Sequence, residues 1–126
     1  MPAIVVCEDD PSIQRLVRAS LALIGCEIHI AADGEEGFAL IESIRPALVI
    51  TDLLMPKLDG IALAERVRAT PSLAQIPIVF ISASLTRVRD IIDSSARPVA
   101  VLKKPFSPVE LRALVTRHLS AAAVAA

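Results

Sequence analysis

The chain has no tryptophan and no tyrosine, and only three phenylalanines among 126 residues. Surfaces that stack nucleic-acid bases or a flavin ring are built from aromatic side chains, so neither ligand fits, and the core must be aliphatic. An excess of charge is also missing. Thirteen Lys and Arg stand against fourteen Asp and Glu, a formal net charge of −1, far from the basic balance of a phosphate-backbone binder. No direct nucleic-acid partner is expected. No apolar run approaches the roughly 18–20 residues of a membrane span, and Met1-Pro2-Ala3 does not open a signal peptide. The expected location is cytoplasmic, with no membrane partner. Cysteine is scarce: Cys7 and Cys26 lie inside apolar runs and form no C-x-x-C, which removes support for metal or redox chemistry. Both read as free, buried thiols.

What is present is apolar bulk. With 54% hydrophobic and 21% charged residues, the chain can bury one core, and no repeat or linker divides it. One domain over 1–126 is expected, with its core at about 3–119 and residues 120–126 as a frayed tail. Four short runs rich in Val and Ile, at 3–7, 47–51, 76–81 and 99–102, read as strands buried on both faces. A weaker run at 26–31 alternates Ile28 and Ile30 with Glu27 and His29, the pattern of a sheet edge. Between the runs the apolar period becomes helical. Asp10-Pro11 opens one helix, with Ile13, Leu16, Val17, Leu21 and Ile24 on one face. Asp33 with Glu36 opens a second that Arg45-Pro46 ends, and Asp59-Gly60 a third that stops before Pro71. Ser107-Pro108-Val109-Glu110 is a capping box for the last. A fourth helix within 84–95 carries only Leu85, Val88, Ile91 and Ile92 as its apolar set. Strict alternation of strands and helices implies parallel strands with right-handed crossovers, hence a three-layer α/β sandwich with a five-stranded sheet.

In an open parallel sheet ligands bind beyond the carboxyl ends of the strands. The runs end, in turn, at Glu8-Asp9-Asp10, at Asp52, at Ser82 and at Lys103-Lys104. Asp10 is the residue placed to cap the first helix. The other acids suit a hard divalent cation such as Mg2+, which takes one or two carboxylates and keeps several waters. A carboxylate beside a cation, a hydroxyl and an ammonium also has the parts of a phosphoryl acceptor.

Val5-Val6-Cys7-Glu8-Asp9-Asp10-Pro11, Asp52-Leu53-Leu54-Met55-Pro56-Lys57-Leu58-Asp59-Gly60, Ile81-Ser82-Ala83 and Lys104-Pro105-Phe106 resemble, in that order, the receiver domain of two-component response regulators. The resemblance spans roughly residues 3–119 and implies a flavodoxin-like fold with strand order 2-1-3-4-5 and five helices. Carried over by position, it makes Asp52 the phosphoacceptor and a metal ligand. Asp9 would bind Mg2+ directly, Glu8 through water, and the Leu54 backbone carbonyl would complete the set; Mn2+ could replace Mg2+. Ser82 and Lys104 would hold the phosphoryl group, and Lys104-Pro105 would be cis. Leu54 and Ser84 fall where the family tunes dephosphorylation. The resemblance breaks at Val101, where the family commonly has a switch aromatic, and at Arg97-Pro98-Val99-Ala100, where it has a Gly-Ala pattern.

The resemblance thus implies a response regulator that takes a phosphoryl group from the phosphohistidine of a sensor histidine kinase or phosphotransfer protein and signals to a downstream protein. It is an acceptor with slow self-dephosphorylation rather than an enzyme, and a monomer rather than a stable dimer. The alternatives are an aspartyl-phosphate hydrolase of the haloacid-dehalogenase kind, a phosphate sink and a pseudo-receiver that never accepts phosphate. The hydrolases carry a second Asp two residues after the nucleophile, where this chain has Leu54. A flavodoxin-like electron carrier would need stacking aromatics that are absent.

Overall fold

The computed structural model describes residues 1–83 and 87–125, the last six in backbone only. Its elements alternate: β1 (Ala3–Cys7), α1 (Pro11–Leu21), β2 (Glu27–Ala31), α2 (Gly34–Ile44), β3 (Leu48–Asp52), α3 (Gly60–Ala69), β4 (Ile78–Ser82), α4 (Val88–Ile92), β5 (Ala100–Lys103) and α5 (Pro108–Ala125). All strand pairs are parallel, in the order β2-β1-β3-β4-β5. The three-layer sandwich with that strand order is therefore present.

The pleat sorts the core into two layers. Val5, Cys7, Val49 and Phe80 face Phe38, Ile41, Leu63, Val67 and Ile91 of α2, α3 and α4. Their neighbours Ile4, Val6, Ile50, Val79 and Ile81 face Val17, Leu21, Leu111 and Val115 of α1 and α5. Every residue of β3 and β4 is buried, as an uninterrupted apolar run requires of a central parallel strand, whereas β2 and β5 are partly open edges.

Side-chain caps fix where the helices start. Asp10, Asp33 and Asp59 each accept a backbone N–H of the first turn at 2.8 Å, and Ser107 and Glu110 exchange reciprocal hydrogen bonds at 3.1 and 3.3 Å. Helix ends differ more from expectation. The first helix stops at Leu21, and Ile24 reaches the core from a turn that closes on Gly25 at φ 75°. β4 starts at Ile78 because Ile76 belongs to the preceding turn, its N–H bonded to the Leu73 carbonyl. α4 covers only Val88–Ile92: the Ser94 hydroxyl takes the Ile91 carbonyl at 2.7 Å and competes with a further helical turn. Ser84 and Leu85 lie outside the described residues. α5 runs on through the expected tail to Ala125, over alanines that are the best helix formers.

Arg68 is a fastener that periodicity does not reveal. From the last turn of α3 its guanidinium donates to the carbonyls of Ala74 (2.8 Å) and Ile76 (2.7 Å) before β4, and of Ala96 (2.9 Å) and Arg97 (3.0 Å) before β5. One planar fork thereby joins two loops, and Arg97 sits at φ 46°. Among the described residues no helix is long and apolar enough to cross a membrane.

Both cysteines are free. The register pairs Cys7 with Ala31 and Ala3 with Glu27, so Cys7 and Cys26 lie at opposite ends of neighbouring strands. At about 3.3 Å per residue they are beyond disulfide reach. Burial pushes the Cys7 thiol up to about 12, although the Thr51 side chain opposes it.

Two outcomes follow. At pH 8 the native protein should take no more than one alkyl group by intact mass, on half-buried Cys26, and two after unfolding; rapid double labelling of the native state would contradict the packing. Arg68→Lys keeps the charge but not the fork, and a denaturant titration should show a loss of about 1.5–3 kcal/mol, the range for hydrogen bonds to charged groups. An unchanged midpoint would show that the two loops hold without it.

Candidate functional site

The carboxyl ends of β1, β3, β4 and β5 meet at one edge of the sheet. Glu8 follows β1, Asp52 is the last residue of β3, Ser82 the last of β4, and Lys104 follows β5. The strand order sets Lys104 across β4 from Asp52, and only a long side chain spans that gap. The Lys104 backbone N–H donates to the Ser82 carbonyl at 2.8 Å, which roots the side chain. The Lys104-Pro105 bond is cis.

The Lys104 ammonium lies between two acids, 2.7 Å from Asp52 Oδ2 and 2.8 Å from Glu8 Oε1. Burial pulls the ammonium down, but hydrogen bonds to Asp52 and Glu8 and the charges of both acids outweigh it, and the net shift is upward. Burial is also the main influence on Glu8, which is raised although the Lys104 hydrogen bond opposes this. Glu8 is wholly buried, Asp52 is nearly so, and Asp9 is exposed. Glu8 Oε2 accepts the Asp10 N–H at 3.0 Å, and Asp52 Oδ1 faces the Leu54 N–H at 3.4 Å.

One oxygen from each of Glu8, Asp9 and Asp52 lies within 4.8 Å of the others. A cluster of hard oxygen donors at that spacing fits a small divalent cation. The adjoining loop is held close to the strand end. A β-carbon at Gly60 would run into the Asp52 carbonyl oxygen, and one at Gly34 into that of Leu58. Glycine at both positions lets residues 53–59 fold back against β3 and the start of α2, with the Gly60 N–H on the Leu53 carbonyl at 2.9 Å.

Glu8, Asp9, Asp52 and Lys104 therefore come together as the spacing of strand ends anticipated, with buried Ser82 on the neighbouring strand end. Leu54 is 66% exposed at the mouth, and Val101 is 39% exposed on β5, opposite Phe80 in register. Asp10 and Asp59 serve as caps. Sequence reasoning missed Gln14, whose Nε2 donates to the Glu8 carbonyl at 2.6 Å. Its place in the helical period puts it on the outward face, and nothing in the pattern marks it as turning back to the end of β1.

Comparison with known proteins gives the same family at every level. The family model described as the response regulator receiver domain matches residues 4–116. The DNA-binding dual master transcriptional regulator RpaA of Synechocystis is 37% identical over 118 residues, covering 91% of this chain and 48% of the relative. This chain thus spans about half the length of that relative. Among solved structures, the chemotaxis response regulator CheY4 of Vibrio cholerae is similar at TM-score 0.85 and 26% identity, with 94% of this chain and 98% of the other covered. The receiver domain of the sensor histidine kinase PA1611 from Pseudomonas aeruginosa is similar at TM-score 0.86 and 25% identity, covering 94% and 98%, and carries a magnesium ion coordinated in its active site cleft. With its parallel sheet in the order 2-1-3-4-5 and its acids and lysine gathered at one edge, the chain belongs to the receiver-domain family of response regulators.

Proposed function

We propose that the chain accepts a phosphoryl group on Asp52 from the phosphohistidine of a sensor histidine kinase or phosphotransfer protein, and passes the change on to a protein partner. The observation that carries this reading is the Lys104 ammonium, 2.7 Å from Asp52 Oδ2 at the end of a fully buried strand. A carboxylate oxygen of Asp52 attacks phosphorus, the bond from phosphorus to the imidazole nitrogen breaks, and the departing imidazole keeps that electron pair. The product is an acyl phosphate on Asp52. Lys104 and the hydroxyl of Ser82 would hold the new equatorial oxygens.

Mg2+, or Mn2+ in its place, would be held by Asp9, Asp52 and the Leu54 carbonyl, and the resemblance also gives it Glu8 through water. When bound, it supplies positive charge against the oxygens of the transferred group. Leu54 stands where a haloacid-dehalogenase-type hydrolase needs its second acid, so the hydrolase reading lacks its proton donor. The pseudo-receiver reading is disfavoured by filled positions at Glu8, Asp9, Asp52, Ser82 and Lys104. We take the protein to be an acceptor rather than a turnover enzyme. It acts in the cytoplasm as a monomer, over a receiver core of about 3–119, without touching nucleic acid or membrane itself.

Incubation with acetyl phosphate and Mg2+ should add one phosphoryl group by intact mass. Asp52→Ala should abolish the addition, and an undiminished addition in that variant would move the acceptor elsewhere.

Because Mg2+ would bind only the native site, mass action should raise the melting temperature; at about 100-fold over its dissociation constant the gain is about 2.7 kcal/mol. Asp9→Asn should lose that rise. Without metal it should melt at or above the parent, since it removes one of three crowded carboxylates. Melting indifferent to millimolar Mg2+ would count against the site.

A further inference from the structure

We infer that Thr51 is a positioning residue for the site: its buried hydroxyl fixes the peptide by which the chain leaves β3, and with it the placing of the Asp52 carboxylate against the loop that follows. The inference rests on the phosphoryl-acceptor reading of the site. Thr51 has no solvent exposure, and its partners in register are Cys7 on β1 and Phe80 on β4. A hydroxyl taken from water in such surroundings costs free energy unless it is hydrogen-bonded. It has one proton to give. Oγ1 stands 2.9 Å from the Asp52 carbonyl oxygen and 3.8 Å from Met55 Sδ. A thioether sulfur is the weaker acceptor, so the proton goes to the carbonyl.

That carbonyl belongs to the peptide between Asp52 and Leu53, which is held on both sides. Its oxygen takes the Thr51 hydroxyl and abuts Gly60, where a β-carbon would collide with it. Its N–H, on Leu53, donates to the Ile81 carbonyl at 3.2 Å. A peptide unit is planar, so holding both groups fixes the plane, and the plane sets how the chain turns from strand into loop. Two parts of the site flank it. Before it lies the Asp52 carboxylate; after it comes Leu54, whose N–H faces Asp52 Oδ1 at 3.4 Å and whose carbonyl would be a ligand of the cation. A rotation of this one peptide moves the second part against the first. Valine has the shape of threonine but no proton to give, and would leave the Asp52 carbonyl without that bond.

The test compares Thr51→Val, which keeps the shape and removes the hydroxyl, with Thr51→Ser, which keeps the hydroxyl and removes the methyl. Each protein is studied well below its own melting temperature. In Thr51→Val, phosphoryl uptake from acetyl phosphate at saturating Mg2+, followed by intact mass, should slow about tenfold or more. An NMR titration with Mg2+ should show affinity weakened about tenfold. Thr51→Ser should stay near the parent in both. A parent-like value of either quantity in Thr51→Val would overturn the inference. An equal loss in Thr51→Ser would assign the effect to side-chain volume and overturn it too. Should Thr51→Val fail to fold, Thr51→Ala takes its place, since it differs from Thr51→Ser by the hydroxyl alone. If neither folds, the hydroxyl serves the fold instead of the site, and the inference fails. The Mg2+ titration needs no phosphodonor, so a parent that binds Mg2+ but takes up no phosphate would sink the acceptor reading separately and leave the affinity comparison to decide this one.

Discussion

The ammonium of Lys104 between two carboxylates is the contact on which the sheet edge depends. Glu8 is fully buried and Asp52 nearly so, and two such acids without a cation between them would be repelled by each other and by the loss of water. Ion pairs of this kind do little for net stability when weighed against apolar packing, but removal of one member leaves an uncompensated buried charge. The lysine therefore constrains more than its own surroundings. It must arrive from β5, across β4, at acids carried by β3 and β1, and only the order β2-β1-β3-β4-β5 with level carboxyl ends delivers it there. The two-layer aliphatic core serves that alignment, since a slip of one residue in β3 would turn Asp52 to the other face.

Much of this arrangement could be read in the sequence because it depends on short-range rules. Uninterrupted Val and Ile runs can only be strands buried on both sides, and Asp10, Asp33, Asp59 and Ser107 announce helix starts through local hydrogen bonds. Once strands alternate with helices, the residue that ends each run falls on the ligand edge, and Glu8, Asp52, Ser82 and Lys104 are found by counting. The parts that escaped are those fixed by long-range contacts. Arg68 looks like one more solvated arginine until the fold brings four carbonyls from two distant loops around it. Gln14 looks like a surface residue until α1 lays it against the end of β1. The fourth helix expected within 84–95 ends at Ile92, because the hydroxyls of Ser94 and Ser95 bond to the Ile91 carbonyl and to Glu65 of α3.

Those same contacts divide the far side of the molecule into held and loose parts. α4 has five residues and one buried side chain, Ile91, so little apolar surface binds it to the sheet. The segment after it is tied down: Ser95 donates to Glu65 through both its N–H and its hydroxyl at 3.3 Å, and the carbonyls of Ala96 and Arg97 lie on Arg68. A helix fastened at its carboxyl end and weakly packed along its length opens at low free energy as a pivoting unit.

Val101 limits how a change at Asp52 can reach that helix. A β-branched side chain has few rotamers to exchange, and at 39% exposure Val101 fills no enclosed space whose occupation could alternate. Under the proposed function, a side chain swinging at this position would therefore have no enclosed space to move into. The main chain offers another connection: the Lys104 N–H on the Ser82 carbonyl at 2.8 Å joins the two strand ends that would flank a phosphoryl group on Asp52 under the proposed function. A group that drew Ser82 and Lys104 toward new oxygens would pull on that hydrogen bond. The weakly packed α4, followed by a segment held at Arg68, would be the element with the least to lose by following.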